Sequence, residues 1–141
     1  SKLQKNLSEL MWEHCGVIKN KVSLENGLSK LYDLKKASKE IDITINRNSC
    51  KKLLLTFDLQ ASILTAEATI LSALKREESR GSHQRSDYPK MNINNNINYR
   101  VKMIENKLNI FTHQISPLNK DLQFIINNTS RVISFKNKLI E

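Results

Sequence analysis

The chain has 141 residues, carries 23 Lys and Arg against 14 Asp and Glu for a net charge of +9, and contains only three Gly, two Pro and two Cys. This is one domain's length, and 39% hydrophobic residues are enough to build a core without disulfides, which excludes a disordered tail. No uninterrupted apolar run reaches the ~18 residues of a membrane span, no signal-peptide core opens the chain, and Gly16, Gly27 and Gly81 are too scattered to cradle a nucleotide's phosphates. The expectation is a soluble chain, incomplete as a nucleotide-dependent enzyme.

Leu3, Leu7, Leu10, Met11 and His14 recur at helical spacing and predict a first amphipathic helix. Gly16 falls where that helix should stop, and as a left-handed cap it would fold Val17 back on Trp12, which is expected in the core. Ser23 is the expected N-cap of a second helix with Leu24, Leu28, Leu31, Leu34 and Ile41 on one face, and residues 42–49 read as a connection. A third helix is expected from Ser49 or Cys50 to about Ser79. Between Leu53 and Leu74 its only charges are Asp58 and Glu67, so it should be buried on several sides. The fold class is therefore mainly α: an antiparallel three-helix bundle over residues 1–89, followed by a small C-terminal β-hairpin and short helix.

Residues 90–141 form the second unit. Asn92, Asn94, Asn95, Asn96 and Asn98 make an Asn-rich linker, and residues 99–104 and 108–115 read as two strands with the reversal at 105–107. Ser116 and Pro117 are the expected cap and first residue of a short helix using Leu118, Leu122, Ile125 and Ile126, with residues 131–141 extended or frayed. Cys15 and Cys50 form no C-x-x-C pair and read as reduced, and His14, His83 and His113 lack i,i+4 partners, so no metal is expected. The basic excess fits a Lys-, Asn- and Ile-rich codon bias better than a nucleic-acid site, because no dense Lys/Arg cluster stands out.

The informative segment is residues 75–89, K-R-E-E-S-R-G-S-H-Q-R-S-D-Y-P. Glu77 and Glu78 oppose the dipole of a closing helix and need cationic partners, with Arg80 and Arg85 nearest in sequence. One reading is an elaborate C-cap. The other is a hydrogen-bonding elbow that docks the bundle on another domain, with Glu78, Ser79, Arg80, His83, Arg85 and Asp87 as its candidates; there the Arg80 side chain would be solvated within the bundle itself. Glu67, with no acid or His at i±3 or i±4, reads as a satisfied acceptor rather than a general base.

The run Glu78-Ser79-Arg80-Gly81-x-His83 with Asp87-Tyr88-Pro89 resembles the C-terminal helical domain of the succinate dehydrogenase, fumarate reductase and L-aspartate oxidase flavoproteins. Ala66-Glu67 and Met11-Trp12-Glu13-x-x-Gly16-Val17-Ile18 extend the resemblance over residues 1–89, and the Met-Trp pair looks like L-aspartate oxidase. The resemblance implies an excised, noncatalytic domain of a cytoplasmic FAD enzyme that oxidises L-aspartate to iminoaspartate for NAD synthesis. FAD would be bound by upstream flavin-binding and capping domains of the same polypeptide. No catalytic, cofactor-binding or metal-binding residue transfers to this chain, and no nucleic acid or membrane span is expected. The alternatives are a flavoprotein of the succinate dehydrogenase or fumarate reductase type and a free-standing basic binding module.

Overall fold

The computed structural model describes residues 2–40, 50–94 and 96–128. Three helices, α1 (Lys2–Cys15), α2 (Lys21–Lys39) and α3 (Cys50–Lys75), pack on one another. Their shared core is Leu7 and Leu10 of α1, Leu24, Leu31 and Leu34 of α2, and Leu59, Ile63, Ala66, Ile70 and Ala73 of α3. The α3 set advances by alternating steps of four and three, which keeps it on one stripe of the helix.

Only that stripe is covered. Leu54, Leu55, Phe57 and Leu64 remain 64%, 37%, 63% and 39% exposed, so α3 is not buried on several sides among the described residues. The segment Lys52–Lys75 is also long and apolar enough to cross a membrane by length and composition, at a mean hydropathy of 1.3, contrary to the expectation of no such segment. Two isolated charges interrupt every long apolar run without making the helix polar.

The helix starts also differ from expectation. Asn20, not Ser23, caps α2: its Oδ1 accepts from the Ser23 amide at 2.8 Å, while the Ser23 hydroxyl donates to the His14 carbonyl. Gly16 is not left-handed, and Val17 and Trp12 lie 65% and 77% exposed instead of packing together. The third helix ends at Lys75, four residues before Ser79, because the chain there turns into a hydrogen-bonded elbow. Residues 42–49 and 131–141, expected to be a connection and a frayed end, lie outside the described residues.

Strand β1 (Ile18–Lys19), between α1 and α2, pairs in parallel with β2 (Gln84–Arg85), beyond α3. The hairpin forms as β3 (Ile97–Ile104) and β4 (Lys107–Gln114) in antiparallel register, with Val101 opposite Ile110. Glu105 and Asn106 are its two turn residues, both at positive φ, as a tight two-residue hairpin turn requires. The last described helix, α4 (Lys120–Asn128), begins three residues after Pro117, since the Asn119 side chain, rather than Ser116, accepts from the Leu122 amide at 2.8 Å.

Gly27 sets how closely α1 and α2 approach. A Cβ there would stand 2.6 Å from the His14 Cβ, and neither atom can rotate away. Gly27→Val is therefore expected to force the helices apart and cost about 1–3 kcal/mol. A lowered urea midpoint at unchanged slope is the expected measurement; an unchanged midpoint contradicts the close crossing.

Candidate functional site: the charged elbow

An α-helix ends with unpaired carbonyls, and in α3 one of these belongs to the buried Ala73 and must find a partner within the protein. Arg85 is that partner. Its side chain is 1% exposed, and Nη1 donates to the carbonyls of Ala73 at 2.6 Å and Arg76 at 3.2 Å. Nε and Nη2 then form a forked pair with the Asp87 carboxylate at 2.8 and 2.7 Å. Asp87 Oδ2 also accepts the amide of Lys21, the first residue of α2, at 2.8 Å. One ion pair thus places a cation at the negative end of α3 and an anion at the positive end of α2.

Ser79 forms the second layer. Its hydroxyl donates to the Tyr88 carbonyl at 2.8 Å and accepts from the Arg85 amide at 2.9 Å, while its own amide bonds the Lys90 carbonyl. Glu78, fully buried, is the third. It accepts from Arg76 Nη1 at 2.6 Å, from Arg80 Nε and Nη2 at 3.2 and 3.0 Å, and from the Asn92 amide at 3.0 Å. Arg80 is consequently not left to solvent, as expected from sequence, but clamps Glu78 and also donates to the Asn92 carbonyl at 2.8 Å. Glu77 turns the other way and bonds the Tyr88 hydroxyl.

The tip of the elbow is Gly81 and Ser82, bridged by reciprocal backbone bonds between Arg80 and His83. Gly81 has φ +57°, the left-handed conformation that a side chain penalises. His83 Nε2 donates to the Arg76 carbonyl at 3.2 Å, leaving Nδ1 as the imine nitrogen. All six candidates therefore belong to one network: Glu78, Ser79 and Arg85 are buried in it, while Arg80, His83 and Asp87 reach its surface.

Sequence reasoning missed three participants. Arg76 lies over the Tyr99 ring at 4.6 Å and so ties the elbow to the hairpin. Lys19, 8% exposed, donates to the carbonyls of Gly16 and Val17 at 2.9 and 3.2 Å beyond the end of α1. Lys35 pairs with buried Glu67 at 2.6 Å, which makes Glu67 a satisfied acceptor as expected. Sequence spacing does not signal Arg76 or Lys35, because each partner comes from another element; Lys19 bonds carbonyls only two and three residues back, and backbone acceptors leave no residue-type signature. Among the described residues no cluster of His, Cys, Asp and Glu could hold a metal ion.

Burial would raise the Glu78 pKa, but hydrogen bonds from Arg80, the Asn92 amide and Arg76 outweigh it and hold the group below its usual value. The Arg85 fork, opposed by partial burial and aided by the Lys21 amide, holds Asp87 far below the carboxylate range. Burial, with positive charge from Lys19, Arg76 and Arg85, lowers His83 despite its bond to the Arg76 carbonyl.

Residues 4–129 match the family described as fumarate reductase flavoprotein C-term. The chain is 37% identical over 86 residues to an L-aspartate oxidase of Pyrococcus horikoshii, covering 61% of this chain and 14% of that protein. It is 33% identical over 89 residues to a fumarate reductase (CoM/CoB) polypeptide of Methanothermobacter marburgensis, covering 63% and 16%. Among solved structures, Mycobacterium smegmatis Sdh1 in complex with UQ1 matches with a TM-score of 0.75 at 26% identity, over 94% of this chain and 23% of that one. The chain thus spans about one-seventh of the length of these curated relatives.

A carboxylate whose pKa is depressed in the fold stabilises fully above its unfolded pKa, near 4, and the contribution is lost as pH falls through the folded value. Stability should accordingly be level above about pH 5 and fall in acid as Glu78 and Asp87 protonate. Glu78→Gln leaves Arg76 and Arg80 without their charged partner and is expected to cost on the order of 3 kcal/mol at neutral pH while making the acid limb shallower. Denaturant melts from pH 2 to 8 measure both; an equally steep acid limb in the variant removes Glu78 from this role.

Proposed function

The chain belongs to the fumarate reductase flavoprotein C-terminal domain family, and from that membership we propose that it is the noncatalytic C-terminal domain of a longer FAD-dependent oxidoreductase. The observation that carries this reading is a folded, self-satisfied elbow beside apolar residues that nothing in the described chain covers. Trp12, Val17, Ile18 and Val22, between 65% and 77% exposed, sit at the end of α1, in β1 and in the first turn of α2, against the strand that leads into the elbow. Such residues suit a domain boundary better than open water.

The described residues offer FAD no cradle of their own. Gly81, the one glycine at positive φ, turns at an exposed tip, and both β-ladders have two strands instead of forming a parallel sheet backed by helices. On this reading FAD and the two-electron chemistry belong to upstream flavin-binding and capping domains of the same polypeptide. This chain's share is attachment: Glu78, Ser79 and Arg85 fix the elbow's backbone from within, and Arg80, His83 and Asp87 meet the preceding domains at its surface.

The first reading of the whole enzyme is a cytoplasmic L-aspartate oxidase producing iminoaspartate for NAD synthesis, supported by the Met11-Trp12 pair and the likeness to the Pyrococcus horikoshii enzyme. The second is a fumarate reductase or succinate dehydrogenase flavoprotein. It is supported by the likeness to the Methanothermobacter marburgensis fumarate reductase polypeptide, over 63% of the chain against 61% for the L-aspartate oxidase, and by the structural likeness to Sdh1. Assays of the full-length polypeptide with L-aspartate and with succinate or fumarate separate the two. The 141-residue chain alone is expected to be colourless and inactive with all three; a stoichiometric flavin absorbance in it overturns the noncatalytic assignment.

Trp12→Ala tests the boundary. An exposed substitution is expected to shift the chain's own stability by less than about 0.5 kcal/mol, yet to loosen its attachment in the full-length polypeptide. Limited proteolysis and melts of both forms make the comparison, and equal effects in the two remove Trp12 from the interface.

A further inference from the structure

Beside the elbow, α3 and the base of the hairpin enclose an open groove of about 550 Å³. Its lining includes the cationic side chains of Lys19 and Arg76, the imidazole of His83 and the exposed Thr69, and it includes no Asp or Glu. The surrounding balance is also positive. Lys19, Arg76, Arg80 and Arg85 stand against three carboxylates: Glu78 and Asp87, each held by the arginines it binds, and Glu77, which bonds Tyr88. Lys19 is largely buried and held by the carbonyls of Gly16 and Val17, so its charge is fixed in position and not swept through solvent.

We propose that this groove is an anion-binding site, which takes a carboxylate or phosphate group against Lys19, Arg76 and His83. Three features make it a site and not merely a basic surface. The donors come from three separate segments held together by the elbow; the walls are α3 residues Thr65, Ala68 and Ser72 and the Tyr99 ring, which give the groove a shape; and His83 bonds the Arg76 carbonyl through Nε2, leaving Nδ1 for a ligand. An anion there favours the imidazolium, so binding draws a proton onto His83 Nδ1 and converts a neutral ring into a second donor. Burial is the main cause that lowers His83, and the positive charges of Lys19, Arg76 and Arg85 that add to it also attract an anion.

The anion has two possible sources, a free small molecule or an acidic side chain of polypeptide preceding the domain, and the shared chemistry is the same. The probe is inorganic phosphate, titrated into the full 141-residue chain while NMR follows the His83 ring across pH. The expected result is a saturable shift with an upward movement of the His83 titration midpoint. Thr69→Glu, at an exposed helical position, sets a carboxylate in the groove and is expected to weaken phosphate binding at least tenfold. Ser29→Glu, exposed on α2 outside the groove, makes the same change in net charge and should leave binding unaltered.

A repeat on the full-length polypeptide identifies the source. The same response there assigns a free anion; a His83 already shifted upward and insensitive to phosphate assigns an acidic side chain of the preceding domains. Absence of a saturable His83 shift in the chain, or equal weakening by Ser29→Glu and Thr69→Glu, overturns the site. Because the first arm uses the chain alone, its outcome is independent of the flavoprotein assignment.

Discussion

One guanidinium closes one helix and, through one carboxylate, opens another. Arg85 satisfies carbonyls at the end of α3 and grips Asp87, and Asp87 accepts the first amide of α2. A buried charge is tolerated only when its hydrogen-bonding capacity is used, and here Nε, Nη1 and Nη2 all donate. The pair joins the end of α3 to the start of α2, where Asn20 is the side-chain cap. The parallel contact of β1 with β2 is its backbone counterpart, since pairing Lys19 with Arg85 brings the guanidinium to the helix ends.

The remaining layers build outward from that pair. Ser79 ties the backbone on either side of Arg85, Glu78 gathers Arg76, Arg80 and the Asn92 amide, and Arg76 reaches Tyr99 of the hairpin. Charged residues in a small chain usually occupy the solvent face. In this elbow they form the interior, and the apolar side chains are displaced outward onto α1, β1 and α3. That inversion is what a domain bounded by other protein would show.

Helix periodicity was legible where one stripe carries the core, as in α1 and α2, and the strand alternation with its reversal gave the hairpin nearly to the residue. The elbow was legible as a motif but not as a geometry. Its partners are set by contacts such as Asp87 with Lys21 and Glu78 with Asn92, which spacing along the chain does not encode. Helix starts failed for a local reason: Asn20 and Asn119, and not Ser23 and Ser116, supply the side-chain oxygen that accepts from the third amide on. The apolar circumference of α3 misled in a different way, since sequence shows which faces avoid water but not whether this chain or another supplies the cover.

The bond between the Lys21 amide and Asp87 joins residues 66 apart in sequence. A contact of that span forms only after the intervening chain has surrendered its freedom, so it contributes nothing while the helices are still meeting. The elbow's own bonds, such as Arg80 to Glu78 and Arg85 to Asp87, are local, whereas its attachment to α2 depends on bringing distant chain together. The Lys21 amide is therefore the group whose exchange with solvent deuterium reports whether elbow and bundle are joined.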